Sequence, residues 1–235
     1  MKILAIDSSS KSASACIYED GKILSEFFVN NKLTHSTTLM PMVENCFKIA
    51  QLDFSAIDLI AVCNGPGSFT GLRIGVSTAK GLCAARNIPV IGISTLQAAA
   101  YNGILCDGII CAVMDARLSQ VYNALFECRG ALQNRLCEDR AISINDLKVQ
   151  LEEFNDKNIY LTGDGAHLCY DELKDMANIE LLPPQSIYVK ASSLAQIAAV
   201  EFSQEQIENY KSALLKPVYL RVSQAERNLN NGVTV

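Results

Sequence analysis

Two α/β lobes built on one plan are predicted by three observations. The chain opens with three short alternating segments, KILAID, SASACIY and KILSEFFV, separated by a Ser-rich turn and by Asp20-Gly21, the pattern of an antiparallel meander. Helical and strand-like periods then alternate as far as Gly103, where the same order restarts with GIICAVMD, QVYNALFE and ALQNRLCE. Spacing ties the halves together: Leu24 follows Asp7 by seventeen positions and Leu132 follows Asp115 by the same interval, with Gly21 and Gly130 within one residue of equivalence. Three antiparallel strands followed by helix-strand alternation is a ribonuclease-H-like lobe. Residues 1–103 are therefore expected to form the first lobe and 104–235 the second, with the final helix packing back on the first. A cleft between such lobes is where a ligand would be sought.

In the first half, Leu39, Met42, Val43, Cys46, Ile49 and Ala50 recur at helical spacing and predict a helix over 37–50. Pro41 is expected near its start, where backbone donors have no internal partner. A strand at 57–63 follows, then a helix over 69–86 with Ser68 or Thr70 as its cap. Next come a strand at 88–93 and a short helix in STLQAAAYNG capped by Ser94 or Thr95. The second half predicts helices near 145–154 and 166–176, a strand at 158–162, and a last helix from Ser192 to just before Lys216-Pro217. The polar tail SQAERNLNNGVTV is expected to be a mobile end.

Composition narrows the function. The chain is 235 residues long, 49% hydrophobic and carries a formal charge of −5, which argues against direct nucleic-acid binding through clustered Lys and Arg. Nine cysteines stand singly, mostly within apolar stretches and without a C-x-x-C pair, as expected of buried thiols in a reducing cytoplasm. Neither a secretory leader nor an apolar run of the roughly 18 residues that cross a bilayer is expected, so no membrane partner is either.

The most unusual stretch is NGPGSFTGLRIG, with four glycines and a proline in twelve positions. It fails the phosphate-loop pattern, because Gly67 and Gly71 are too close and no Lys follows. The dinucleotide pattern fails as well, with Thr70 where its third glycine belongs. Gly71, Gly75 and Ala79 instead recur at i, i+4 and i+8 and form a bare stripe, although each helical glycine costs up to about 1 kcal/mol. Such a stripe admits close approach by the chain's own sheet or by a helix of another chain. The second is the expectation, which makes His35, Leu39, Val43, Phe69, Gly71, Leu72, Gly75, Thr78, Ala79 and Leu82 the candidate partner interface.

NGPGSFTGLRIGVSTAKGL, together with IDSSS, THSTTLMPMVE, VMDAR, GDGA and the KPVYLR…QAE tail, resembles the bacterial TsaB (YeaZ) family over nearly the whole chain. The resemblance implies the actin-like ATPase (ASKHA) superfamily fold. It also implies a role in making N6-threonylcarbamoyladenosine at position 37 of tRNAs that read ANN codons. Expected partners are the paralogous catalytic subunit TsaD and the ATPase TsaE, which docks on the pair, while TsaC supplies threonylcarbamoyl-AMP. Contact with tRNA is expected only through the complex, and a homodimer in isolation. The family usually has an acidic residue shortly after MDAR, where this chain reads Leu118-Ser119-Gln120.

The same resemblance separates a catalytic subunit from its partner. The TsaD-type subunit binds its metal through an H-x-x-x-H pair on the helix after the strand at 88–93, and Thr95 and Ala99 stand there instead. His35 and His167 are the chain's only histidines and lie far apart, so neither a metal site nor a metallopeptidase is expected. A vestigial nucleotide cleft is expected at Asp7, Ser8, Ser9, Asp115, Arg117, Gly163, Asp164 and Gly165. The first turn, DSSSKS, is small enough to take an anion. The second, with Ala116, Arg117 and Leu118, lacks the expected glycines, so no cofactor is required and only weak ATP or ADP binding survives. Asp7 and Asp115 are read as caps of strand turns rather than as an acid-base pair, with a local Asp115–Arg117 ion pair. Cys63 has no neighbouring histidine to activate it. No catalytic residue is assigned, and the alternative is an actin-like ATPase or kinase with its own cleft chemistry.

Overall fold

The computed structural model describes residues 1–31 and 33–221; the polar tail lies outside the described residues. The first half opens with the meander β1 (Lys2–Asp7), β2 (Ala13–Glu19) and β3 (Lys22–Val29), turning at Asp20 and Gly21, both at positive φ. Helix α1 (His35–Ala50) leads to β4 (Leu59–Gly65), α2 (Phe69–Arg86), β5 (Val90–Ser94) and α3 (Thr95–Tyr101). Strands β1, β4 and β5 are parallel, giving the order β3-β2-β1-β4-β5.

The second half contains β6 (Gly108–Asp115), β7 (Gln120–Arg129), β8 (Leu132–Arg135), β9 (Arg140–Ser143), α4 (Ile144–Leu151), β10 (Ile159–Thr162) and α5 (Ala166–Leu173). It closes with β11 (Ile179–Leu181), α6 (Pro184–Ile187) and α7 (Ala191–Glu201). Its sheet runs β11-β10-β6-β7-β8, with β6–β7–β8 antiparallel and β6–β10–β11 parallel. Strand for strand this is the first sheet again, so the chain is a pair of ribonuclease-H-like lobes in the actin-like ATPase arrangement.

Strand alternation divides the apolar residues among three cores. Leu4 and Ile6 face α1 and α2, whereas Ile3 and Ala5 face the other lobe. In β6, Ile109, Cys111 and Val113 face α4 and α5, and Ile110, Ala112 and Met114 join the central core. That central core is filled by two crossed helices: α3 leaves the first sheet to pack on β6 and β7, and α7 returns from the second to pack on β1 and β2.

Several local expectations need correction. Helix α1 begins at His35, so Pro41 lies inside it rather than near its start, at a position where the missing N–H would have bonded to the Thr37 carbonyl. Pro41 is exposed, so that carbonyl lies on the solvent side. The last helix ends at Glu201; a 3-10 segment over Gln204–Tyr210 and an extended strap reaching Arg221 replace the rest. Strands β9 and β11 and helix α6 have no counterpart in the sequence reading, being only three or four residues long. Ser68 caps α2 by accepting the Gly71 N–H at 3.3 Å, and Ser94 caps α3 by accepting that of Gln97 at 3.2 Å.

Candidate functional site

The glycine-rich turn connects β4 to α2 and is enclosed by the chain's own backbone on both sides. A side chain at Gly67 would run into the carbonyl oxygen of Ser9, and one at Gly71 into that of Ser8. The Ser68 N–H donates to Ser9 O at 2.7 Å, and Ser8 Oγ donates to Gly71 O at 2.9 Å, fastening the turn to the end of β1. On the other side the strap lies against Gly65: Val218 N–H donates to Asn64 O at 2.7 Å, and a Cβ at Gly65 would strike Val218 O. Gly75 continues the row, its missing Cβ lying 2.7 Å from Ser8 Oγ and 3.5 Å from Val62. The glycines therefore serve close approach within one molecule, of backbone to backbone at Gly65, Gly67 and Gly71 and of helix to side chain at Gly75.

This overturns the expectation that the bare stripe faces another chain. Gly71, Leu72, Gly75 and Ala79 are buried against the chain's own first sheet and the turn that follows β1. Leu39 and Val43 are buried likewise, on the inner side of α1. Of the candidate interface residues, His35, Phe69, Thr78 and Leu82 keep partial exposure. His35 also has an internal role, donating from Nε2 to the Ser10 carbonyl at 2.7 Å and so tying the start of α1 to the β1–β2 turn. The outward side of the two helices is formed instead by Met40, Glu44 and Ile49 on α1 and by Arg73, Ser77 and Gly81 on α2.

The second lobe repeats the device. Its β10–α5 turn carries Gly163 and Gly165; a Cβ at the first would meet Val113 O, and at the second the Asp115 backbone nitrogen at 3.0 Å. Between them, Asp164 Oδ1 accepts the Asp115 N–H at 3.1 Å, and burial raises the Asp164 pKa against that bond and the nearby Lys11. The GDGA turn is thus the structural twin of the glycine-rich turn of the first lobe.

Both strand-end aspartates form Asx turns. Asp7 Oδ1 accepts the Ser9 N–H at 3.0 Å and its hydroxyl at 2.6 Å, while Asp115 Oδ1 accepts the Arg117 N–H at 2.7 Å. The contact to Arg117 is through its backbone, so the expected side-chain ion pair is absent among the described residues. Asp7 is fully buried, and burial raises its pKa despite the Ser9 bonds; its Oδ2 has no partner among the described residues. Beside it, burial and the Asp7 charge push the Cys63 thiol well above its ordinary value, which disfavours the thiolate.

Several donors of the first turn bond within the chain: Ser8 Oγ with Gly71, Ser9 with Asp7, and the Ser12 N–H with Ser10 Oγ at 3.3 Å. The second turn places Arg117, Leu118 and Ser119 consecutively at positive φ of 63°, 55° and 55°, a strained run where glycine would be unstrained. It is braced by Arg221 of the strap, whose Nη1 donates to Ala116 O at 2.7 Å. Thr95 and Ala99 are both buried, and Thr95 Oγ1 has no partner among the described residues; neither offers the imidazole a transition metal needs. His167 is exposed near the start of α5. Among the described residues no group of three or more His, Cys, Asp and Glu is placed to hold a metal, and no helix is long and apolar enough to cross a membrane.

The strap is the part of the site the sequence did not reveal. Tyr219 and Arg221 lie in a short extended segment with no periodicity, and only its place in the family-like KPVYLR run drew attention to it.

Comparison with known proteins gives this arrangement a family. The model of the family described as "TsaD: tRNA N6-adenosine threonylcarbamoyltransferase" matches residues 22–229. The "tRNA threonylcarbamoyladenosine biosynthesis protein TsaB" of Bacillus subtilis is 29% identical over 96% of both chains. The chain belongs to this family, in its TsaB (YeaZ) group. The TsaB protein of Escherichia coli is 34% identical over 54% of this chain and 55% of its own. The solved structure "YeaZ from Pseudomonas aeruginosa" shares the fold, with a TM-score of 0.76 at 23% identity over 93% of this chain and 99% of the other.

Proposed function

We propose that this TsaB-type chain is a non-catalytic subunit in the formation of N6-threonylcarbamoyladenosine at position 37 of tRNAs reading ANN codons. It acts by pairing with the catalytic TsaD-type subunit through the outer faces of α1 and α2. The supporting observation is chemical: the positions equivalent to the catalytic paralogue's metal ligands are the buried Thr95 and Ala99, within a fold otherwise of the same family. Internal use of the donors around Ser8 and Ser9 supports a chain that needs no ATP or ADP of its own.

In this reading TsaE docks on the pair, TsaC supplies threonylcarbamoyl-AMP, and tRNA is met only within the complex, in the cytoplasm. Two copies pair through the same face when the paralogue is absent. The test is reconstitution with TsaC, TsaD and TsaE from the same cell, unmodified tRNA and ATP, with modified adenosine measured by mass spectrometry. Product should appear with this chain and vanish on its omission, while the chain alone makes none. Product formation without it, or rapid Mg2+-dependent ATP turnover by the chain alone, would favour the ATPase or kinase reading.

A further inference from the structure

Arg73, one turn into α2, is exposed yet held from two sides. Its guanidinium carbon lies 3.9 Å from the centroid of the Phe69 ring, and its Nε donates to the Tyr219 hydroxyl at 3.2 Å. Phe69 is in turn stacked on Tyr219, with centroids 4.6 Å apart and planes inclined by 30°. An arginine side chain ordinarily gives up much rotamer freedom when a partner immobilises it. Here the cation–π contact, the stacked pair and the hydrogen bond have already restricted it. Both terminal amino groups of Arg73 are without a hydrogen-bond or ion-pair partner among the described residues. A restrained guanidinium with a free outer edge suits bidentate recognition of a carboxylate.

The same surface contains such a carboxylate on its other helix. Glu44 is the one acidic residue of α1 and is exposed, in a row with Met40 and Lys48 and close in sequence to the exposed Ile49. No ion pair joins Glu44 to Arg73 within the chain. Two halves of a charge pair therefore stand on neighbouring helices of one face, beside exposed apolar side chains. In a two-fold pair of identical surfaces, any contact between different residues occurs twice, so one Arg73–Glu44 match between copies supplies its own twin.

We propose that Arg73, clamped by Phe69 and Tyr219, is the anchoring residue of this face and that in a pair of two copies it receives Glu44 of the second copy. This rests on the reading of the α1–α2 face as a pairing surface and adds which side chains carry it. Tyr219 is then a positioning residue, and through it the C-terminal strap prepares the face.

The test measures self-association of the full chain by analytical ultracentrifugation at low and high salt, for wild type, Arg73→Glu, Glu44→Arg and the double reversal. Thermal melts by circular dichroism check that each variant is folded. Each single reversal should weaken pairing by about tenfold or more, and the double reversal should recover part of that loss, because it restores the charge match but not the clamp from Phe69 and Tyr219. Tyr219→Phe, which keeps the stack but loses the hydrogen bond, should show a smaller loss. A folded Arg73→Glu chain that pairs as wild type does, or a double reversal no better than the weaker single, overturns the contact while leaving the pairing surface intact. A wild-type chain that stays monomeric also overturns it; if that chain still binds the paralogous subunit, the proposed function survives, and if it binds neither, that reading falls too.

Discussion

The three glycines of α2 predict a graded response to alanine, because each missing Cβ meets something different. Gly81 has nothing within 4 Å, so Gly81→Ala should gain the full helix-propensity difference of about 1 kcal/mol. At Gly75 the new carbon would lie 2.7 Å from Ser8 Oγ, the end of a side chain that can rotate away. The cost is then the hydrogen bond from Ser8 Oγ to Gly71 O, about 0.5–1.5 kcal/mol, which nearly cancels the propensity gain. At Gly71 the obstacle is the Ser8 backbone carbonyl, which moves only with the β1–β2 turn. Overpacking of that kind costs about 1–3 kcal/mol, so Gly71→Ala should be destabilised on balance. Gly75→Leu should destabilise the isolated chain itself, since its side chain would be forced between α2, Ser8 and Val62. The assay is urea denaturation followed by far-ultraviolet circular dichroism, the chain having no tryptophan. Equal midpoint shifts for Gly71→Ala and Gly81→Ala, or an unperturbed Gly75→Leu monomer, would refute internal packing of the stripe.

Two further substitutions probe the strand-end turns. Burial raises the folded pKa of Asp7, so its contribution to stability is greatest below the unfolded pKa and is lost as pH rises through the folded value. Asp7→Asn keeps an acceptor for Ser9 and cannot ionise. Its urea midpoint should exceed that of wild type at pH 8, with the advantage shrinking as acidification protonates the buried carboxyl and ending once pH is below the ordinary carboxylate range; a pH-independent difference would contradict the assignment. Leu118 is 74% exposed and sits in the middle of the left-handed run, so Leu118→Gly should relieve about 1 kcal/mol of backbone strain while losing little burial. A higher thermal midpoint is expected, and a lower one would show that the leucine side chain matters more than its conformation.

The fold was legible where periodicity and punctuation agreed. The meander has alternating residues and a positive-φ Asp20-Gly21 turn, and α2 has a serine cap before it and Asn87 in the left-handed conformation after it. The shared Asp-to-Leu interval foreshadowed two sheets of identical order. The stripe of small residues was legible as a place of close approach, but spacing carries no information about what approaches. The partner of Gly71 is Ser8, distant in sequence, and only the parallel pairing of β1 with β4 brings them together. The strap was hidden for another reason: its role comes from single contacts at Val218, Tyr219 and Arg221, which leave no repeat to detect.

The exchange of α3 and α7 between the lobes determines what each half would lose without the other. Each sheet is roofed on its inner side by a helix that belongs to the other half of the chain. Prising the halves apart would strip cover from both at once, wetting Leu96 and Leu194 together with the strands beneath them. Severing the polypeptide near Gly103 would accordingly yield two fragments, each missing a lid, rather than two autonomous modules. The two halves are thus sealed to each other by the very helices they exchange, and every apolar face turned inward is shared property of both.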